Sequence, residues 1–245
     1  MARLENKTAV ITGGTTGIGF EAAKLFLAEG ARVIITGRNQ TRLAEAVEVL
    51  GSNAIAVTAD VQSLADIDHL ATRVQAEFGQ LDSLFANAGV AKRAAFRVVT
   101  EADFDDEIAI NLKGVFFTVQ KLEPLMKAGS SIVLNTTTLA QTAMAGEAIY
   151  SASKAAVRSL ARSLSVELLD RQIRVNAVAP GPIETPIWSK MELPPDIAER
   201  VLSRTPIGRF GKPEEIAKVV LFLASDDSSY LLGEEILADG GWATL

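Results

Sequence analysis

Six short stretches are dense in Val, Ile, Leu and Ala: Thr8–Thr12, Arg32–Thr36, Ala54–Thr58, Leu81–Ala86, Ser131–Asn135 and Ile173–Val178. Near-continuous apolar runs of this length, rather than strict alternation, suit strands covered on both faces, as in a parallel sheet. Between them, apolar residues recur at helical spacing: Ala23, Phe26 and Leu27; Leu43, Ala46, Val47 and Leu50; Leu64, Ile67, Leu70, Ala71 and Val74. Longer helices are expected from Glu101 to about Met126 and from Tyr150 to Leu169. One more, over Pro213–Ala224, precedes a seventh strand at Glu235–Ala238. Strand and helix alternating in this way predict an α/β fold, a doubly wound parallel sheet of about seven strands with helices on both faces.

No composition break divides residues 1–245, so one domain is expected. The proline-rich stretch from Pro180 to about Pro206 reads as irregular, with a substrate loop at about 184–204. Its Trp188, Met191 and Leu193 are more apolar than a solvated loop needs, which suggests a lid.

Composition narrows the function classes. The chain has 245 residues, 48% hydrophobic and 22% charged, with no cysteine and a formal net charge of −6. Disulfides and thiolate metal sites are excluded. An acidic chain without a basic run is not expected to bind nucleic acid or an anionic membrane. The segment Ala128–Gly146 is uncharged but too polar to span a bilayer. Met1–Lys7 leads straight into the first strand and leaves no room for a signal peptide, so a cytoplasmic protein is expected.

The first strand runs into Thr12-Gly13-Gly14-Thr15-Thr16-Gly17-Ile18-Gly19, which opens the first helix. Glycines let the backbone turn tightly against a pyrophosphate, and the helix N-terminus presents free N–H groups to it. The spacing is neither the general G-x-G-x-x-G nor a P-loop, since no Gly-Lys-Ser/Thr follows. A bound dinucleotide is the expected ligand. At the end of the second strand an NAD site places an acid on the ribose hydroxyls, but here stand Thr36-Gly37-Arg38. A guanidinium there can pair with a 2′-phosphate, so NADP(H) is favoured over NAD(H).

Tyr150 and Lys154 lie four apart on a helix and therefore share a face. An ammonium beside a phenol stabilises phenolate and lowers its pKa, as proton exchange with an alkoxide requires. With the glycine turn, this pair makes the sequence resemble the short-chain dehydrogenase/reductase family. Further matching pieces are Asp60-Val61, Asn87-Ala88-Gly89, Asn111, Arg174–Gly181 with Pro182–Thr185, and Asp239-Gly-Gly-Trp242, all in family order.

The resemblance implies an oxidoreductase that interconverts a small carbonyl compound and an alcohol. Tyr150 would be general acid/base, and Lys154 would hold the nicotinamide ribose and depress the phenol pKa. Asn111 would anchor a relay water. The turn, through Gly13, Thr15, Thr16, Gly17, Ile18 and Gly19, would hold the pyrophosphate. Asp60 and Val61 would contact adenine, and Asn87, Ala88 and Gly89 would back its ribose. Pro180, Gly181, Ile183 and Thr185 would border the nicotinamide, the last two fixing its carboxamide. The family usually carries Ser thirteen residues before the Tyr, where this chain has Thr137. Its hydroxyl keeps a donor and an acceptor, while the β-branch adds a methyl and restricts χ1.

That departure motivates an alternative: a weakly active or inactive nucleotide-binding sensor or partner subunit. No metal site is expected, because His69 has no second His or Cys nearby. The acidic residues Asp103, Asp105, Asp106 and Glu107 read as favourable charge at a helix start, Trp242 as packing, and Phe116 and Phe117 as core or helix interface. Carrier-protein thioesters, sugars or polyols, and xenobiotic carbonyls remain open as substrates, although the acidic surface disfavours an acidic carrier. Small residues at Ala152, Ala155, Ala156, Ser159 and Ser163 suit close helix contacts in a homotetramer or homodimer.

Overall fold

The computed structural model describes residues 2–186 and 195–245. Among them seven parallel strands form one sheet in the order β3-β2-β1-β4-β5-β6-β7. The strands are β1 (Thr8–Ile11), β2 (Arg32–Gly37), β3 (Ala54–Thr58), β4 (Leu81–Ala86), β5 (Met126–Asn135), β6 (Arg174–Pro180) and β7 (Glu235–Ala238). The helices are α1 (Gly17–Ala28), α2 (Gln40–Leu50), α3 (Leu64–Phe78), α4 (Glu101–Ile108), α5 (Gly114–Leu122), α6 (Ala148–Glu167), α7 (Pro195–Ser203) and α8 (Pro213–Ala224). This is the doubly wound architecture expected from the alternating pattern.

The apolar runs split by period two across the sheet. Ala9, Ile11, Val33, Ile35, Phe85 and Val133 meet α1, α2 and α8 through Phe26, Leu43 and Val220. Val10, Ile34, Leu84, Ile132 and Leu134 face α3, α5 and α6 through Leu70, Val119 and Val157. The central strands β1, β2, β4 and β5 are thus buried on both sides, which explains why polar residues rarely interrupt them.

The order of strands reverses between β1 and β4, and an open α/β sheet forms its crevice at such a switch point, beyond the carboxyl ends of the strands. The glycine turn leaves β1 and Asn87–Gly89 leave β4 at this point, so both motifs enter one crevice.

Two expectations are corrected. The helix anticipated from Glu101 to Met126 is broken by a π-turn at Ala109–Lys113, and Met126 already belongs to β5. A π-turn inserts one residue into the helical ladder and re-aims its side chains. The stretch anticipated as irregular up to Pro206 contains α7, which begins at Pro195. Proline punctuates chains but is also pre-organised for the first turn of a helix, where its missing N–H has no helical partner. Trp188, Met191 and Leu193 lie outside the described residues.

Phe26 is fully buried between α1, α8 and the sheet. Phe26→Ala is expected to cost about 3–5 kcal/mol and to lower Tm by roughly 10 °C in a thermal melt. Val49→Ala, at a position 73% exposed, should stay within about 0.5 kcal/mol.

Candidate active site

The glycine turn is held from below by one side chain. Asn87 donates from Nδ2 to the carbonyls of Thr12 (2.9 Å) and Gly13 (3.2 Å). Its backbone N–H and that of Ala88 donate to Thr12 Oγ1, each at 3.0 Å. Gly13 and Gly17 have φ of 65° and 58°, the left-handed region that glycine enters without steric cost. A Cβ on Gly19 would collide with the Gly13 carbonyl and the Asn87 amide.

The N-termini of α2, α3 and α4 are closed by Asn39, Ser63 and Thr100, whose side chains accept backbone N–H groups. At α1, Thr16 makes no such bond, and the first turn carries no acid. Its free N–H groups and positive dipole end suit a phosphate. The residues present therefore fit a dinucleotide.

On the far side of the crevice, Asn135 at the end of β5 donates from Nδ2 to Asn87 Oδ1 (2.9 Å), and its carbonyl accepts from Lys154 Nζ (2.8 Å). Asn111 sits fully buried in the π-turn. It accepts from Val90 N–H (2.9 Å) and donates to Val90 C=O (2.8 Å) and Ser153 Oγ (3.2 Å). A Cβ on Gly89 would lie 3.2 Å from Asn111 Oδ1 and 3.3 Å from Lys154 Nζ, so glycine leaves room for both. Asn111 ties the chain after β4 to α6.

A cavity of about 300 Å³ opens between these walls. Gly13, Thr15, Thr16, Gly17, Ile18, Asn87, Ala88 and Gly89 line one side, with Pro180, Gly181, Ile183 and Thr185. Thr137, Tyr150 and Lys154 line the other. Lys154 Nζ is 5.9 Å from the centre of the Tyr150 ring. The Thr137 hydroxyl hydrogen-bonds the phenol and favours phenolate. Thr137 is the residue before a short 3-10 turn, because β5 ends at Asn135. Thr136 also borders the cavity, but its hydroxyl is committed to the Val178 carbonyl (2.9 Å) and Glu235 (2.5 Å).

Arg38, Asp60, Val61 and Asn111 are not on the cavity wall. Arg38 stands exposed past β2, its guanidinium 3.8 Å from the Asp60 carboxylate. The turn reaches this end through Thr15, whose methyl would be 2.9 Å from a Cβ at Gly37. Val61 packs on Gly114.

Electrostatics correct one expectation. The Tyr150 phenol is pushed up to about 12, not lowered. Burial dominates, and the Glu147 and Glu107 carboxylates add to it, while Thr137 opposes. Lys154 is pushed down to about 8 by the same burial, offset in part by Glu107. Burial moves both groups toward their neutral forms, although at about 8 Lys154 is still mainly an ammonium at neutral pH.

The acidic cluster divides. Asp103 forms a capping box with Thr100, and Asp106 pairs with Lys92 at 2.6 Å. Glu107 does neither: it is fully buried, accepts the Lys92 N–H at 3.4 Å, and has its carboxyl pushed up by burial. Trp242 is a further correction, since it both packs against Met144 and Val201 and borders the cavity. Phe116 is 41% exposed rather than core. Arg93, Met144 and Glu147 also line the cavity; Met144 and Glu147 lie in the Ala140–Glu147 stretch to which the sequence assigns substrate choice without giving side-chain directions, whereas Arg93 stands in a separate stretch with no periodic signal. Among the described residues, no cluster of three His, Cys, Asp or Glu could hold a metal, and no helix is long and apolar enough to cross a membrane.

Residues 13–243 match the family model described as enoyl-(acyl carrier protein) reductase. The chain belongs to the short-chain dehydrogenase/reductase family. It is 44% identical over 245 residues to oxidoreductase asL5 of Sarocladium schorii, covering 99% of this chain and 98% of that protein. It is 42% identical over 244 residues to the 3-oxoacyl-(acyl-carrier-protein) reductase FabG of Thermotoga maritima, covering 98% of each. Two solved members of the family from Brucella melitensis superpose closely. One, a glucose/ribitol dehydrogenase by name, gives a TM-score of 0.94 at 36% identity and covers 99% of both chains. The other, a 3-ketoacyl-(acyl-carrier-protein) reductase complexed with NADH, gives 0.91 at 31% identity and covers 98% of this chain and 99% of that one.

Glu147 is buried and lifted from its ordinary 4.5 to about 7 by desolvation, with Glu107 adding to the lift and Arg93 opposing it. A raised carboxyl pKa means the folded state retains the proton longer than the unfolded chain does. Stability from this group is therefore full below pH 4.5 and is lost as pH rises to about 7. Glu147→Gln lacks the titration. Denaturant melts should show the variant gaining on the parent by about 3 kcal/mol between pH 4 and pH 8.

Proposed function

We propose that the protein interconverts a carbonyl and an alcohol with a nicotinamide dinucleotide, NADP(H) in preference to NAD(H), using Tyr150 as general acid and base. The observation that carries this reading is the convergence of Tyr150, Lys154 and Thr137 on a cavity whose opposite wall is the uncapped N-terminus of α1. The dinucleotide, when bound, supplies or accepts the hydride.

The chain's own residues supply placement and the proton. Gly13 and the N–H groups of Thr15–Gly19 would hold the pyrophosphate, with Asp60 and Val61 toward adenine and Asn87–Gly89 behind its ribose. Lys154, positioned by the Asn135 carbonyl, would hold the nicotinamide ribose hydroxyls. Pro180, Gly181, Ile183 and Thr185 would border the nicotinamide. Asn111 positions Gly89 and Val90 beside Lys154.

In reduction, Thr137 donates a hydrogen bond to the carbonyl oxygen, and Tyr150 O–H gives its proton to that oxygen as negative charge develops there. A phenol lifted to about 12 is protonated at neutral pH, the form this step needs. In oxidation the phenolate takes the alcohol proton, and the neighbouring ammonium eases its formation.

Arg38 is the basis for the NADP(H) preference. It is exposed at the end of β2, where no carboxylate follows the turn, and its partner Asp60 stays 3.8 Å away. A 2′-phosphate offers this guanidinium a closer, doubly charged partner. The substrate is a small molecule, and the assembly a homotetramer or homodimer. Ala152, Ser159 and Ser163 remain exposed along α6, as do Val166 and, on α5, Phe116, faces suited to a second copy.

Tyr150→Phe should lower NADPH-dependent turnover of a carbonyl panel by about 10²–10⁴-fold while cofactor affinity, read by fluorescence titration, holds. Tight NADPH binding without turnover of any panel member by the parent protein would favour a nucleotide sensor or partner subunit instead. Arg38→Leu should weaken NADPH binding by about 1.5–3 kcal/mol and leave NADH nearly unchanged; equal losses for the two cofactors would refute the NADP(H) preference.

A further inference from the structure

Glu147 lines the substrate end of the cavity one turn before Tyr150, at the residue preceding α6. It is 4% exposed, and its Oε2 has no hydrogen-bond partner among the described residues. Trp242, 8% exposed and lining the same cavity, has an indole N–H with no hydrogen-bond partner among the described residues. Met144 joins the two: the Glu147 N–H donates to its carbonyl (3.2 Å), and its side chain packs on Trp242. A buried acceptor or donor left unmade is costly, and a bound group that satisfies it recovers the loss. A purely hydrocarbon substrate would leave both atoms stranded.

The ligand that matches is a neutral hydroxyl. It donates to a carboxyl oxygen and can accept from an indole N–H. An ammonium group fits less well, because Arg93 lies beside the carboxyl and Lys154 stands in the same wall. The lift of Glu147 toward neutrality also removes part of the charge a cation would seek. Because Glu147 stands one turn before Tyr150 and both line the same cavity, the hydroxyl in question sits near the reacting carbon.

We propose that Glu147 is a specificity-determining residue that selects substrates carrying a second hydroxyl close to the reacting carbonyl or alcohol, as in diols, hydroxyketones and polyols. This rests on the reading of the cavity as the substrate site. It narrows the open substrate classes and counts against long unsubstituted acyl chains.

The test measures binding apart from turnover. Tyr150→Phe protein saturated with NADP⁺ is titrated calorimetrically with cis-cyclohexane-1,2-diol, cyclohexanol and 2-aminocyclohexanol. The parent protein is assayed for NADPH oxidation with 2-hydroxycyclohexanone and cyclohexanone. The diol is expected to bind at least tenfold more tightly than cyclohexanol, and the hydroxyketone to show a matching advantage in kcat/KM. Adding Glu147→Ala should abolish both preferences without changing NADP⁺ affinity, and Glu147→Gln, which keeps an acceptor, should retain part of them. Thermal melts identify any variant that fails to fold, in which case the Gln variant decides.

Equal binding of diol and cyclohexanol overturns the proposal, as does a preference that survives both substitutions, tighter binding of the amino alcohol, or no binding of any probe. Selective diol binding with no turnover of either ketone by the parent protein would sink the catalytic reading and leave this one standing. Turnover without hydroxyl preference would do the reverse.

Discussion

One amide side chain joins three strand ends. Asn87, just past β4, ties the turn after β1 through the carbonyls of Thr12 and Gly13, and accepts from Asn135 at the end of β5. The Asn135 carbonyl in turn receives Lys154 from α6. The glycine turn and the candidate proton-transfer residue Lys154 are thereby held in one hydrogen-bonded chain. Each link is partly buried, where a missing partner costs more than in water. The crevice thus has fixed walls, and placement to within fractions of an ångström is what a transfer between two bound partners requires.

The second constraint is electrostatic. Tyr150, Lys154 and Glu147 share a poorly hydrated wall with Glu107 buried nearby, and burial moves each toward its neutral form: the phenol and carboxyls up, the ammonium down. Opposite charges within the group limit the drift, since Glu107 supports the charge of Lys154 and Arg93 that of Glu147. Tyr150 and Glu147 therefore hold their protons longer than they would in water, and Lys154 gives its own up more readily. An isolated tyrosine–lysine pair in water would show none of this.

Much of this was legible before any coordinates. The doubly wound sheet followed from apolar runs that are buried on both faces, and the glycine turn from its place between a strand and a helix. Thr137 was found by counting back from Tyr150, and the structure brings its hydroxyl to the phenol. Glu107 was misread as favourable charge at a helix start; it is the next-to-last residue of α4, and the packing of α4 against α6 encloses it. The direction of the Tyr150 shift was misjudged for a related reason. Spacing along a helix reports that two side chains share a face, but not how much water they keep.

By itself the sequence determined the order of the strands and helices, the turn that must be glycine, and the Tyr150–Lys154 face, because these depend on local periodicity and on backbone geometry within a few residues. Tertiary structure decided which distant groups meet: Asn135 with Lys154, Glu107 with the phenol, Trp242 with the cavity. Burial and charge coupling at these sites arise from segments far apart in the chain, Gly13 and Trp242 lining the same cavity. Nothing in a local window carries that information, since the dielectric surroundings of a side chain exist only once the chain has folded around it.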